Sequence, residues 1–193
     1  MTRFVSVRAF AAAFALFIAP SLAAAAEVTA VFAGGCFWCV ESDFEKLDGV
    51  EKAVSGYTGG DLQNPTYEDH EGHVEAVEVT YDPDVVSYRS LVDYLLRHID
   101  PLDDGGQFCD RGPSYKSAIF VADDEERAAA QAAIVEAESE LGEKVVTPIR
   151  DRGAFWIAED YHQNYYKKNP IQYRFYRSRC GRDARVKKVW GAH

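Results

Sequence analysis

The chain has 193 residues, of which 21 are lysine or arginine and 31 are aspartate or glutamate, so its formal net charge at pH 7 is −10. A surface this acidic is repelled by phosphate backbones and by anionic lipid, which excludes nucleic acid as an expected partner. The length suits a single domain with a hydrophobic core of its own.

The first 26 residues have the pattern of a secretory signal peptide. Residues 1–8 carry two arginines and no acid, residues 9–19 form an apolar run, and residues 20–26 are rich in alanine. The apolar run is shorter than the ~20 residues that a membrane-spanning helix needs. We therefore predict cleavage after residue 26, export to the periplasm, a mature domain over residues 27–193 and no membrane attachment after cleavage. A retained N-terminal anchor is the alternative.

Strands and helices alternate along the rest of the chain, as judged from apolar periodicity, helix caps and turn residues. We predict strands at 28–33, 50–57, 74–81, 115–122 and 145–149, and helices at 37–47, 87–98 and 123–141. From residue 155 onward, aromatic side chains are interspersed with Lys and Arg, and we expect an irregular C-terminal tail. This order predicts an α+β fold, a two-layer sandwich in which one mixed β-sheet is flanked by helices within a single domain.

Cys36 lies where the first strand ends and the first helix is predicted to begin, directly after Gly34 and Gly35. Free backbone N–H groups and the helix dipole at such a position stabilise a thiolate and lower the pKa of a cysteine. We therefore expect Cys36 to be a nucleophile at the N-terminal end of the helix, partly open to solvent.

Four cysteines, Cys36, Cys39, Cys109 and Cys180, lie in the predicted mature domain. In an oxidising compartment an even number usually indicates structural disulfides, which is one alternative for this chain. Cys36 and Cys39 also form a CxxC motif, which is typical of redox enzymes but only moderately specific.

Gly-Cys-Phe-Trp at residues 35–38, followed by Glu41, resembles the signature of the A-type peptide methionine sulfoxide reductases, which are selective for the S-sulfoxide. Further segments resemble that family in the same order, so the resemblance covers residues 31–173: these are 56–60 (GYTGG), 64–67 (NPTY), 72–77 (GHVEAV), the predicted helix after 82–83 (DP), 115–120 (YKSAIF) and 158–163 (AEDYHQ).

The resemblance implies a reaction at the sulfur of methionine sulfoxide that needs neither a cofactor nor a metal. Cys36 would attack the sulfoxide sulfur as a thiolate, and Glu75 would give a proton to the departing oxygen. Tyr67 and Tyr115 would donate hydrogen bonds to that oxygen. The expected substrates are oxidised proteins or peptides and free methionine S-sulfoxide, and the function is protein repair after oxidative damage.

The resemblance also implies how the substrate is held. Phe37 and Trp38 would form an apolar wall for its methyl group, since thioether groups pack well on aromatic faces. Asp110 and Tyr173 match further polar positions of the family's substrate pocket. Nothing in the sequence calls for more than a monomer.

Attack would leave a sulfenic acid on Cys36, which a second cysteine can convert to a disulfide for a thioredoxin-like reductant. Cys180, Cys109 and Cys39 are the candidates. We favour Cys180, because the family commonly keeps this cysteine in a mobile tail. The chain departs from the family in two places: the stretch between Tyr67 and Glu75 is short, and Arg174 occupies a position where some members carry a recycling cysteine.

Three other hypotheses remain at this point. The CxxC motif alone would suit a thioredoxin-class oxidoreductase. The His and carboxylate side chains at 69–73 (DHEGH) could bind zinc. A domain stapled by disulfides could use its aromatic, basic tail to bind partners without catalysis.

Overall fold

The computed structural model describes residues 28–191, and its fold is a mixed β-sheet covered by helices. The strands are β1 (Val28–Gly34), β2 (Val50–Thr58), β3 (Val74–Tyr81), β4 (Gly106–Gln107), β5 (Asp110–Arg111), β6 (Ser117–Val121), β7 (Ile149–Asp151) and β8 (Phe155–Ile157). The helices are α1 (Phe37–Phe44), α2 (Tyr88–Arg97), α3 (Asp124–Leu141), α4 (Tyr165–Lys168), α5 (Pro170–Arg179) and α6 (Arg182–Trp190), with a 3₁₀ turn at Pro113–Tyr115.

Six strands form the main sheet in the order β7-β6-β1-β3-β2-β8, and β4 and β5 form a separate two-stranded ribbon. The β6–β7 pair is parallel, whereas β1–β3, β1–β6, β2–β3 and β2–β8 are antiparallel. The predicted α+β fold with one mixed sheet is confirmed.

The core lies mainly between one face of this sheet and the helices. Side chains alternate along β1, so that Ala30 and Phe32 join the larger cluster while Val31 and Ala33 join a smaller cluster on the opposite face. Helices α1, α2 and α3 all contribute buried residues to the larger cluster. The start of α1 is thereby fixed against the sheet.

Two helices begin and end as their sequences predict. Ser87 caps α2 by accepting a hydrogen bond from the backbone nitrogen of Ser90 at 3.1 Å. Asp123 caps α3 in the same way through Glu126 at 2.8 Å, and Gly142 ends α3 in a left-handed conformation.

The expectation of an irregular C-terminal tail is wrong, because residues after β8 form α4, α5 and α6. Pro170 opens α5 at the position where a missing N–H costs nothing. Tyr173 and Tyr176 are three residues apart and therefore face the same side, toward α1. Trp190 ends α6 with its indole nitrogen donating to the carbonyl of Leu96 at 3.0 Å.

The strand predicted at 145–149 lies later than expected, over Ile149–Asp151. Pro148 has no N–H to donate to a sheet, so regular pairing begins after it.

Within residues 28–191, no helix has the length and apolar character that crossing a bilayer requires. The predicted signal peptide, residues 1–26, lies outside the described part of the chain.

Candidate active site

The turn between β1 and α1 brings Cys36 to the first turn of the helix. Gly35 has a φ of 81°, and a Cβ added there would lie 2.5 Å from the Cβ of Gln107, so only glycine fits. Cys36 is the N-cap residue, and its carbonyl accepts hydrogen bonds from the nitrogens of Cys39 (3.0 Å) and Val40 (3.3 Å). The predicted place of Cys36 at the helix N-terminus is confirmed.

Cys36 is not open to solvent, contrary to the sequence-based expectation. Its exposed fraction is 6%, because Tyr173 and Tyr176 of α5 pack over it. Burial raises the pKa of the Cys36 thiol well above its usual value, and the neighbouring Cys39 raises it further. Removal from water thus outweighs the helix N-terminus, and Cys36 is a neutral thiol in this structure.

Cys39 lies one helical turn from Cys36 and is equally buried. A hydrogen bond from Cys36 lowers the pKa of Cys39 to about 7, and the guanidinium groups of Arg182 and Arg177 favour the same charged form. Both cysteines are free thiols. Cys39 is therefore the more acidic thiol of the pair.

Glu75 reaches the same helix end from β3. Its Oε2 accepts a hydrogen bond from the backbone nitrogen of Phe37 at 2.9 Å, and its exposed fraction is 2%. Burial raises the pKa of Glu75 to about 8. Glu75 thus carries a proton at neutral pH beside Cys36, as a general acid must.

Tyr67 and Tyr115 come together beside Glu75, where their hydroxyls hydrogen-bond each other. Burial raises the pKa of both phenols, and the charge of Glu75 raises them further. Both therefore remain protonated hydrogen-bond donors. The backbone nitrogen of Tyr67 donates to Glu159 at 2.8 Å, which fixes this residue despite the short stretch between Tyr67 and Glu75.

The two predicted wall residues differ in accessibility. Phe37 is 1% exposed and packs within the core against Tyr57 and His162, with ring centroids 5.8 and 4.9 Å away. Trp38 is half-buried and stacks on Tyr165 at 3.8 Å. Trp38 is therefore the more accessible apolar surface for a substrate.

Asp110 and Tyr173 approach Cys36 from the ribbon and from α5. Asp110 accepts a hydrogen bond from the Tyr176 hydroxyl, and burial raises the pKa of its carboxyl. The Tyr173 hydroxyl accepts from Arg177 at 3.0 Å, and its ring packs on Cys36 and Cys39.

The remaining two cysteines are joined to each other. Cys109 and Cys180 form a disulfide with Cα atoms 4.8 Å apart, which links the β4–β5 ribbon to the end of α5. Cys180 is thus not a free thiol in this structure.

Three residues of the site were given no role from the sequence, although Glu41 and His162 lie in the motifs that resemble the family. Tyr176 hydrogen-bonds both Asp110 and Cys36. Buried His162 accepts from the Trp38 indole at 3.0 Å. Glu41 accepts from the Asn164 nitrogen at 2.8 Å and the Ser55 hydroxyl at 3.1 Å. Tyr176 could have been found from its spacing, because it lies three residues after Tyr173 in a segment that Pro170 opens as a helix.

The histidines of the proposed zinc site serve the fold instead. Both ring nitrogens of His70 have partners at 3.0 Å, the Thr66 carbonyl and the Ser114 hydroxyl. His73 accepts from the Gly60 nitrogen at 3.2 Å and pairs with the Leu62 carbonyl at 2.9 Å. Neither ring has a nitrogen left for a metal, so the zinc hypothesis is not supported.

Comparison with known proteins agrees with this geometry. A family model described as peptide methionine sulfoxide reductase matches residues 28–193. The chain is 53% identical over 164 residues to peptide methionine sulfoxide reductase MsrA 2 of Rhizobium meliloti, covering 84% of this chain and 83% of that protein. It is 51% identical over 189 residues to the protein of the same name from Caulobacter vibrioides, covering 94% and 96%.

Among solved structures, the reduced form of Mxr1 from Saccharomyces cerevisiae superposes with a TM-score of 0.70 at 29% sequence identity, covering 75% of this chain and 87% of that chain. The family match includes every strand of the sheet and every residue of the site described above. The chain therefore belongs to the peptide methionine sulfoxide reductase family of oxidoreductases.

Proposed function

We propose that the protein reduces the S-sulfoxide of methionine, in oxidised proteins and peptides and as the free amino acid, with Cys36 as nucleophile. The Cys36 sulfur attacks the sulfoxide sulfur, and Glu75 gives its proton to the sulfoxide oxygen. The oxygen passes to Cys36 as a sulfenic acid, and methionine leaves as the thioether. The sulfoxide is reduced by two electrons, and Cys36 is oxidised by two.

The observation that carries this proposal is the pairing of a buried, protonated carboxyl with a cysteine at one helix N-terminus. Glu75 is held by the backbone nitrogen of Phe37, the residue next to Cys36. Thiol–disulfide exchange has no departing oxygen for such an acid to protonate, and a disulfide-stapled binding domain needs neither group. Two phenols beside Glu75 complete a donor set suited to an anionic oxygen.

We further propose that Cys39, rather than the Cys180 favoured from the sequence, converts the sulfenic acid to a disulfide. Cys39 is a free thiol hydrogen-bonded to Cys36, whereas Cys180 is bonded to Cys109. Cys36 is the non-helical N-cap, and its sulfur already lies beside that of Cys39, one helical turn along the chain. The attack releases water and leaves a Cys36–Cys39 disulfide.

A dithiol protein of the thioredoxin type would then reduce this disulfide by exchange. For Mxr1, a structure in complex with Trx2 has been solved. The signal-peptide pattern of residues 1–26 supports a periplasmic location, where a thioredoxin-like domain would be the electron donor.

The test is an assay of the purified protein on the separated S and R sulfoxides of methionine and of a methionine-containing peptide, with dithiothreitol as reductant. We expect reduction of the S form only. Equal rates on both forms would overturn the stereochemical part of the proposal, and no reduction of either would overturn the whole.

A further inference from the structure

Tyr176 is placed between the nucleophile and a carboxylate. It lies on α5 with its ring edge-on to Trp38, the centroids 5.9 Å apart, and it packs on the cluster that contains Cys36. Its hydroxyl donates to Oδ2 of Asp110, which leaves the hydroxyl oxygen as an acceptor for the neighbouring Cys36 thiol. The Tyr176 hydroxyl thus lies between the Cys36 sulfur and the Asp110 carboxylate, and the one proton of the Cys36 thiol can be donated either to Tyr176 or to Cys39.

The proposed reaction needs a base as well as an acid. Cys36 is a buried neutral thiol, and it must lose its proton to attack sulfur. Glu75 cannot accept that proton, because it must already carry the proton that goes to the sulfoxide oxygen. The base is therefore a different group within hydrogen-bond reach of Cys36.

We propose that Tyr176 is a further catalytic residue, which relays the proton of Cys36 to Asp110; the inference rests on the proposed function. The Cys36 proton moves to the Tyr176 oxygen while the Tyr176 proton moves to Oδ2 of Asp110. Tyr176 stays neutral throughout, Asp110 becomes neutral, and Cys36 becomes a thiolate. The Tyr176 hydroxyl, which now carries the former Cys36 proton, donates its hydrogen bond to the thiolate.

The Cys109–Cys180 disulfide fixes the two ends of this relay. Cys109 directly precedes Asp110 on the ribbon. Cys180 lies one helical turn after Tyr176, and its backbone nitrogen donates to the Tyr176 carbonyl at 2.9 Å. The bond between the two sulfurs therefore holds the phenol and the carboxylate against each other.

Burial also makes Asp110 a better proton acceptor. Partial removal from water raises the pKa of its carboxyl, which makes it a stronger base than an exposed aspartate. Cys39 is the rival acceptor, because it is hydrogen-bonded to Cys36 as well. The test must therefore be carried out without Cys39.

The experiment measures alkylation of Cys36 by iodoacetamide between pH 6 and 9, with the modified sulfur located by fragment mass spectrometry. All proteins carry Cys39→Ser and an intact Cys109–Cys180 bond, which leaves Cys36 as the free thiol. Tyr176→Phe and Asp110→Asn are compared with Tyr166→Phe. Tyr166 belongs to the same aromatic cluster, but its hydroxyl bonds Glu45.

We expect Tyr176→Phe and Asp110→Asn each to slow alkylation at pH 7 by about 10²-fold, the lower end of what a positioned base contributes. The difference in alkylation rate between these variants and their parent should become smaller toward pH 9, where hydroxide can take the Cys36 proton directly. The double variant should be no slower than either single variant, and Tyr166→Phe should match its parent.

An unchanged rate in Tyr176→Phe, or a faster rate in Asp110→Asn, would overturn the relay. If Cys39→Ser alone slows alkylation of Cys36 as much as we expect for Tyr176→Phe, then Cys39, and not Tyr176, accepts the Cys36 proton. Alkylation does not involve sulfoxide, so these results are independent of whether the wild-type protein reduces S-sulfoxides.

Discussion

Oε2 of Glu75 lies 2.9 Å from the backbone nitrogen of Phe37, so a carboxyl group of β3 caps the helix that begins directly after Cys36. The helix N-terminus would favour a carboxylate, yet burial wins and raises the pKa of Glu75 to about 8. The cap therefore keeps its proton at neutral pH.

We expect Glu75→Gln to slow reduction of the S-sulfoxide by about 10²–10⁴-fold, the usual worth of a positioned general acid. The wild-type rate should fall as the pH rises through about 8, because Glu75 then loses the proton it must donate. The rate of the variant should not fall in this way, and its difference from the wild-type rate should shrink at low pH, where solvent can supply the proton. Single-turnover rates from pH 5 to 10 check both expectations. A near-normal rate for the variant at pH 7 would remove Glu75 from this role.

Cys36→Ser should abolish the reaction, because a serine hydroxyl cannot ionise here to replace a thiolate. Methionine formation is measured by chromatography with dithiothreitol in excess. Cys39→Ser serves as the control, since it should keep the first turnover. Residual activity of a few per cent in Cys36→Ser would point to Cys39 as nucleophile.

After one turnover without reductant, mass spectrometry should find a Cys36–Cys39 bond and an unchanged Cys109–Cys180 bond. Cys39→Ser should accumulate the Cys36 sulfenic acid and stop turnover driven by a thioredoxin-like protein. Cys180→Ser should retain that turnover. A Cys36–Cys180 bond in the wild-type protein would instead support the assignment favoured from the sequence.

Gly35→Ala should lower the free energy of unfolding by at least about 1–3 kcal/mol, because it forces alanine into a left-handed conformation and against Gln107. Gly153→Ala is the matched control, since an added Cβ there meets nothing within 4 Å. Urea denaturation of both variants measures the difference. Equal stability would mean that the turn before Cys36 is not constrained as described.

Glu41→Gln should gain stability relative to the wild type as the pH rises from 5 to 8. Burial raises the pKa of Glu41 from 4.5 to about 7, so above pH 4.5 the unfolded chain releases this proton first and the folded state loses stability. Glutamine does not titrate, so the variant keeps this stability. Urea denaturation at pH 5 and pH 8 measures the difference in free energy of unfolding between the variant and the wild type, and Glu51→Gln, at an exposed position, is the control for losing one carboxyl group. A difference that does not change with pH would contradict the burial argument.

The sequence predicts most of the sheet and the position of Cys36, because period-2 alternation and helix caps are local signals. It does not predict the burial of Cys36, which depends on α5 folding back from more than 130 residues later in the chain. Nor does it predict that Cys109 pairs with Cys180 across 71 residues. Both features arise from tertiary packing of a segment whose mixture of aromatic and basic residues lacks a clear periodicity.

The acidic and phenolic groups of the site were reached through family motifs rather than through periodicity. In the sequence, Glu75 lies in the alternating pattern of an ordinary strand. Only the folded structure shows that it faces the start of α1 and binds the backbone nitrogen of Phe37. Tyr176 belongs to no motif, and its contacts with Asp110 and Cys36 require the folded α5.

Because the disulfide between the ribbon and α5 can be oxidised or reduced, the structure of a sample depends on the redox conditions under which it was prepared. Closing a loop of this length by a disulfide stabilises a fold by about 4 kcal/mol on a chain-entropy basis. A preparation from a reducing cytosol would lack that bond, and α5 would be held over Cys36 only by non-covalent contacts, such as packing and the Arg177–Asp43 ion pair. Amide hydrogens of residues 170–179 should then exchange faster than in oxidised material, while those of β1 and β3 should not. Samples of identical sequence would thus differ in how firmly α5 covers Cys36.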